Sequence, residues 1–190
     1  PQDGPPLDAT NPLVLYTFQA GSGSLVQDTA GYGEPLNLNI QDVGAIAWMD
    51  SGGLQVIQPT VLIADQPATK IIAACQQSGE ISLEAWVKPT DLLQNGPARI
   101  LSLSYDPFYR NFTLGQEGNS YEMRLRTTMT SENGIPASIS PAGSVVPCPL
   151  PPVLGPTPAA TGCRLVARAA SATTTSVTAG SPLVMVPVLS

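Results

Sequence analysis

The 190-residue chain contains no histidine. Within it, Ser-His-Asp and Cys-His catalysis are therefore excluded, as are zinc sites of the usual His/Cys kind. Cysteine is scarce: Cys75, Cys148 and Cys163 are an odd count without metal-ligand spacing. At most one disulfide can form among them, so the chain is no disulfide scaffold. Charge is scarce too, at 12% of residues, with a net charge of −6. The eight basic residues are scattered from Lys70 to Arg168 and form no stripe in the sequence. That argues against nucleic acid and against an anionic membrane surface. No stretch approaches the roughly 18 to 20 uninterrupted apolar residues of a membrane helix, so no membrane insertion is expected. Gly21-Ser-Gly23 lacks the third glycine and the lysine of a phosphate-binding loop.

Proline and glycine are plentiful, at 20 and 17 residues. Turn formers at that density, with few charges, favour short strands joined by tight turns over long helices. The length suits one domain with a real core. Period-2 alternation recurs between turn signals, as a two-sheet structure requires. Leu13-Val-Leu-Tyr-Thr-Phe18 opens a strand, and Leu36 and Leu38 alternate with Asn37 and Asn39. Residues 46–49 and 54–57 flank Asp50-Ser-Gly-Gly53 as a hairpin. Residues 67–77 are the one short helix, with Ala68, Ile71, Ile72 and Cys75 on one side. In residues 81–88, Ile81, Leu83, Ala85 and Val87 point to the core, and Ser82, Glu84, Trp86 and Lys88 point away. Strands at 100–104 and 112–116 follow; then Tyr121, Met123 and Leu125 alternate with Glu122, Arg124 and Arg126. Strand after strand without a βαβ rhythm predicts antiparallel sheets.

Composition changes near residue 136. All 14 acidic residues lie at or before Glu132 and every aromatic at or before Tyr121, while Arg164 and Arg168 are the only charges beyond. The chain thus divides into a Pro-rich N-terminal segment (1–12), a β domain (13–136) and a low-complexity Pro/Ala/Ser/Thr tail (137–190). Lacking large side chains to offset chain entropy, the tail is expected to be largely irregular as far as residue 182, with at most brief strand contacts. Val184-Met-Val-Pro-Val-Leu189 is its one run of strand character. The opening Pro1-Gln-Asp-Gly-Pro-Pro6 reads as a mature or trimmed product.

Several ordered motifs resemble one family. Leu15-Tyr-Thr-Phe-Gln-Ala-Gly-Ser-Gly23 and Val26-Gln-Asp-Thr-Ala-Gly31 resemble the opening of laminin-G-like domains of secreted bacterial proteins. Ile81-Ser-Leu-Glu-Ala-Trp-Val-Lys-Pro89 is similar to their central strand, and Arg99-Ile-Leu-Ser-Leu-Ser104 to the next. Arg110-Asn-Phe-Thr-Leu-Gly-Gln116 and Tyr121-Glu-Met-Arg-Leu-Arg-Thr127 are similar to the pair after that. The resemblance implies an all-β, two-sheet antiparallel jelly roll of the concanavalin A-like lectin/glucanase superfamily, as a module of an extracellular protein. The chain departs from the family after Pro136, where the Tyr-Thr-Arg and Tyr-Val-Asn-Gly strands of relatives are missing. The jelly roll is therefore expected to be incomplete at its C-terminal side and prone to associate. The tail is either a true extension or the product of a shifted reading frame.

The glucanases of that superfamily make the carboxylates worth testing. Glu80 and Glu84, with Ser82 between them, would lie about 13 Å apart along one strand face at roughly 3.3 Å per residue. Glycosidases need about 5 to 9.5 Å, so no catalytic residue is assigned. Asp28, Asp42 and Asp50, with nearby carbonyls, are the candidate ligands for calcium, the one cofactor these residues suggest; turn capping explains each equally well. Trp48 and Trp86 invite a sugar-stacking reading, against core packing. Arg124 and Arg126 share a face with Glu122, as a solvated, ion-paired surface or as an anion site. Phe108, Tyr109 and Phe112 gather around Arg110 as cation–π packing or as an exposed recognition patch. Asn111-Phe-Thr113 is a glycosylation sequon. Trp86, Arg110, Arg124 and Arg126 are thus the ligand-binding candidates. The expected function is a non-enzymatic extracellular binding or adhesion module for a glycan or protein ligand, within a cell-surface or secreted assembly. A spacer domain of a larger surface protein and a degenerate glycoside hydrolase-like domain are the alternatives.

Overall fold

Three consecutive strand-forming runs between residues 98 and 125 build one half of the large sheet. The computed structural model describes residues 12–50 and 52–147, and beyond them the backbone of two strands. In chain order the strands are β1 (Leu25–Val26), β2 (Leu38–Ile40), β3 (Ile46–Trp48), β4 (Leu54–Val56), β5 (Leu62–Pro67) and β6 (Ile81–Val87). They continue with β7 (Ala98–Ser104), β8 (Arg110–Glu117), β9 (Ser120–Leu125), β10 (Ser138–Ile139), β11 (Cys163–Ala169) and β12 (Pro182–Met185). One helix, α1 (Thr69–Ser78), follows β5, and a 3-10 turn (Val43–Ala45) precedes β3. An eight-stranded sheet runs in the order β1-β2-β5-β12-β7-β8-β9-β10, beside the pairs β3–β4 and β6–β11. Every described pairing is antiparallel. Among the described residues the fold is all-β apart from α1 and the 3-10 turn.

Alternation puts the apolar set of the large sheet on one face. Val26, Leu38, Ile40, Leu62, Ala64, Leu103 and Phe112 are buried there, with Leu101, Met123 and Leu125 against them. Ile46 and Trp48 of β3, Leu54 of β4, Ile71 and Ile72 of α1, and Ile81 and Leu83 of β6 pack onto the same core. Each buried Leu or Ile contributes about 1.5–3 kcal/mol relative to exposure. Ala85 and Val87 extend β6 over a second cluster of Ile100, Tyr121 and Val145. The inward residues of β6 are therefore the ones its alternation predicts, although they are half-buried and not fully enclosed. Helix α1 ends where Gly79, at φ 70, donates its N–H to the Cys75 carbonyl. That left-handed position is free of Cβ strain only for glycine.

One expectation is corrected, and two longer strands lie where none is expected. Residues 13–18 form no strand: Phe18 has φ 53, and the backbone of Leu15 bonds to the side chain of Asp28 and to Thr29. The period-2 pattern still acts, because Val14, Tyr16 and Phe18 pack on the core. β5 is a central strand in a stretch for which the sequence carries no expectation, because the continuous run Val61-Leu-Ile-Ala64 shows no alternation. Residues 137–182, expected to be largely irregular with at most brief strand contacts, include one longer pairing. β11 pairs along seven residues with β6, Cys163 opposite Val87 and Ala169 opposite Ile81. β12, overlapping the one tail run read as strand-like, enters the sheet between β5 and β7. Its Pro182 lies opposite Pro67 at the end of the ladder, where neither missing N–H breaks an interior bond.

Candidate functional site

The opposite face of the large sheet carries polar side chains, and many are buried. Two register shifts between β7 and β8 set their placement. Ser102 lies opposite Thr113 and Leu103 opposite Phe112, but Ser104 lies opposite Arg110, leaving Asn111 as the extra residue of a bulge. Bulges re-aim side chains and recur beside sites. Ser102 and Thr113 are fully buried, and their hydroxyl oxygens lie 2.7 Å apart. Next to them Thr113 faces Arg124, and Gly115 faces Arg99 on one side and Glu122 on the other. The sheet thus gathers Arg99, Arg110, Arg124 and Glu122 on one face, although no two of the arginines lie within ten residues of each other in sequence.

Arg110 is the least ordinary of these. It is only 6% exposed, its Nε donates to the Pro107 carbonyl at 3.0 Å, and its Nη1 has no hydrogen-bond partner. Burial, and then the charges of Arg99 and Arg124, lower its guanidinium to about 10, with Glu122 pulling the other way. Glu122 is buried and accepts from Arg124 Nε, while Arg126 Nη2 lies 3.6 Å from Glu132 Oε1. This is not the solvated, cross-strand-paired surface expected of Glu122, Arg124 and Arg126: the side chains of both arginines are 16% exposed. Asn111 is likewise buried, which removes the sequon as an exposed acceptor.

At the end of this face, the β7–β8 loop holds three rings in solvent: Tyr105, Phe108 and Tyr109, at 63%, 70% and 44% exposure. The loop is internally braced. Asp106 Oδ1 accepts from the backbone N–H of Phe108 and of Tyr109, both at 2.7 Å, and Tyr105 donates its N–H to the Tyr109 carbonyl. Arg110 ties the loop base through Pro107 and donates its own backbone N–H to Glu132, in the neighbouring loop. That second loop exposes Met129 and Ile135. Phe112, grouped with these rings by sequence proximity, is instead in the core.

The remaining candidates lie elsewhere. Trp86 is exposed on the outer side of β6, opposite Arg164 in register. Trp48 packs on the core and donates its indole N–H to the Gly23 carbonyl. Asp28 is saturated: its carboxylate accepts from the backbone N–H of Leu15, Ala30 and Leu36 and from Lys70. Asp42 caps the 3-10 turn by accepting from Gly44, and Asp50 is exposed in the β3–β4 turn. The structure does not bring these three acids together, and no group of three metal-ligating side chains occurs among the described residues. Glu80 precedes β6 and is exposed. Among known proteins, no family model, no curated protein and no solved structure matches the chain, so no comparison assigns it to the laminin-G-like family.

Proposed function

We propose that the protein is a non-catalytic recognition module with a jelly-roll-like architecture, working outside the cell and holding a glycan against its β7–β8 loop. The carrying observation is the trio of exposed rings in one braced loop, Tyr105, Phe108 and Tyr109. Sugar faces stack on aromatic rings, and a loop ordered before binding loses less entropy on binding than a mobile one. The large antiparallel sheet supports the jelly-roll reading. Its order sets β2 beside β5 and β12 beside both β5 and β7, the long connections such a roll uses. The extracellular assignment rests on the motif resemblance.

The test is a glycan and protein-ligand panel probed with the full chain, followed by the variant Tyr105→Ala/Phe108→Ala/Tyr109→Ala. The expected result is retention of one glycan class and its loss in the variant. A blank panel, or a protein ligand held equally well by the variant, would overturn the reading.

A further inference from the structure

Two consecutive residues at the start of β8, Arg110 and Asn111, are each more than nine-tenths buried. Each has a nitrogen donor without a hydrogen-bond partner, Arg110 Nη1 and Asn111 Nδ2. Buried donors lacking an acceptor are rare in folded proteins. The surroundings do not supply one. Arg99 and Arg124, the cations that act on Arg110, are themselves donors, and Arg99 forms no ion pair among the described residues. Glu122, the one buried carboxylate on this face, accepts from Arg124. Arg126 lies toward Glu132, and the hydroxyls of Ser102 and Thr113 engage each other. Four of the chain's eight basic residues therefore lie on this face in a protein of net charge −6. Its carboxylates are engaged: Glu122 and Glu132 pair with Arg124 and Arg126, and Glu117, at the far end of β8, accepts from the Gly96 N–H.

We propose that this face binds a small oxyanion, the carboxylate or sulfate of an acidic sugar, with Arg110 and Asn111 as its buried donors and Arg99 at its rim. A planar guanidinium with an open N–H matches the paired oxygens of such a group, and an acceptor-rich ligand is what two unpartnered donors require. The inference rests on the recognition reading, of which it names the ligand chemistry. The aromatic loop, tied to Arg110 through Pro107, would hold the sugar ring to which the anion is attached.

The experiment follows the arginine Nε–H resonances of the full chain while sodium acetate, sodium sulfate or sodium glucuronate replaces sodium chloride at constant ionic strength. The expected result is a saturable shift of the Arg110 signal with each oxyanion and none with chloride. Binding should weaken at least tenfold in Arg110→Lys, which keeps the charge and loses the fork. The half-buried Arg99→Gln should weaken it at least threefold, and keeps the test decisive if Arg110→Lys does not fold. The triple aromatic variant should bind acetate normally and glucuronate more weakly. Equal shifts with chloride, no saturation, or unchanged affinity in both arginine variants would overturn the proposal. A glycan bound through the aromatic loop without any oxyanion effect would overturn it while sparing the recognition reading. Oxyanion binding without any glycan would do the reverse.

Discussion

Lys70 Nζ lies 2.6 Å from Asp28 Oδ2, across 42 residues of sequence, and the Asp28 side chain is 1% exposed. One carboxylate thereby ties helix α1 to the extended N-terminal segment and to the turn before β2, since it also accepts from Leu15, Ala30 and Leu36. Removing one partner of a buried, hydrogen-bonded charge pair costs about 3–5 kcal/mol. Asp28→Ala should lose stability on that order in urea titration. A loss below about 1 kcal/mol would show that the contacts of Asp28 are incidental.

The same pair gives a pH dependence. Burial pushes the Asp28 carboxyl up, but Lys70 and three backbone N–H groups outweigh it and hold it below its ordinary 3.8. A depressed folded-state value stabilises above the unfolded value and is lost as pH falls through the folded one. Acid unfolding should therefore begin below pH 3.8 for this group, and Lys70→Met should shift its midpoint upward. Tryptophan fluorescence through an acid titration reads this directly. Identical midpoints would contradict it.

Gly115 is a packing requirement. A Cβ there would meet the Ala98 carbonyl oxygen at 2.6 Å and Pro97 Cβ at 3.0 Å. The neighbour is backbone of the paired strand, which cannot move without disturbing the ladder. Gly115→Ala should cost about 1–3 kcal/mol in thermal or urea unfolding. Wild-type stability in that variant would mean that β7 and β8 are farther apart than described.

Much of this architecture was readable in advance, and the failures have physical causes. Residues 81–87 and 120–125 alternate over their whole length, so pattern alone indicated strand and face. β5 has apolar residues in succession, and β1 is only two residues long, so neither offers a period. Cys163-Arg-Leu-Val-Ala-Arg-Ala169 does alternate and contains no proline; the composition of the surrounding tail obscured it. The binding candidates fared similarly. Arg124 and Arg126 could be placed on one face from spacing two apart. Their meeting with Arg99 and Arg110 depends on which strands neighbour which, and that pairing is non-local information.

The placement of β12 makes residues 182–185 part of the large sheet. Val184 pairs with Ile63 on one side and Ser102 on the other. Val184→Pro removes the donor of an interior strand and should cost roughly 3 kcal/mol or more, leaving β5 and β7 with unpaired edges that associate. Sedimentation and melting of the variant check this. A monomer melting at the wild-type temperature would show that β12 does not complete the sheet.

Recognition by the β7–β8 loop is tested most directly by one ratio. It is the dissociation constant of the Tyr105→Ala/Phe108→Ala/Tyr109→Ala variant over that of the full wild-type chain, for the glycan that the panel retains. All three rings are solvent-exposed, so the variant should keep the wild-type fold and melting temperature. The expected ratio is at least about tenfold, equivalent to about 1.4 kcal/mol of lost contact. A ratio near one, in a variant that melts with the wild type, would contradict the assignment of the loop as the binding surface.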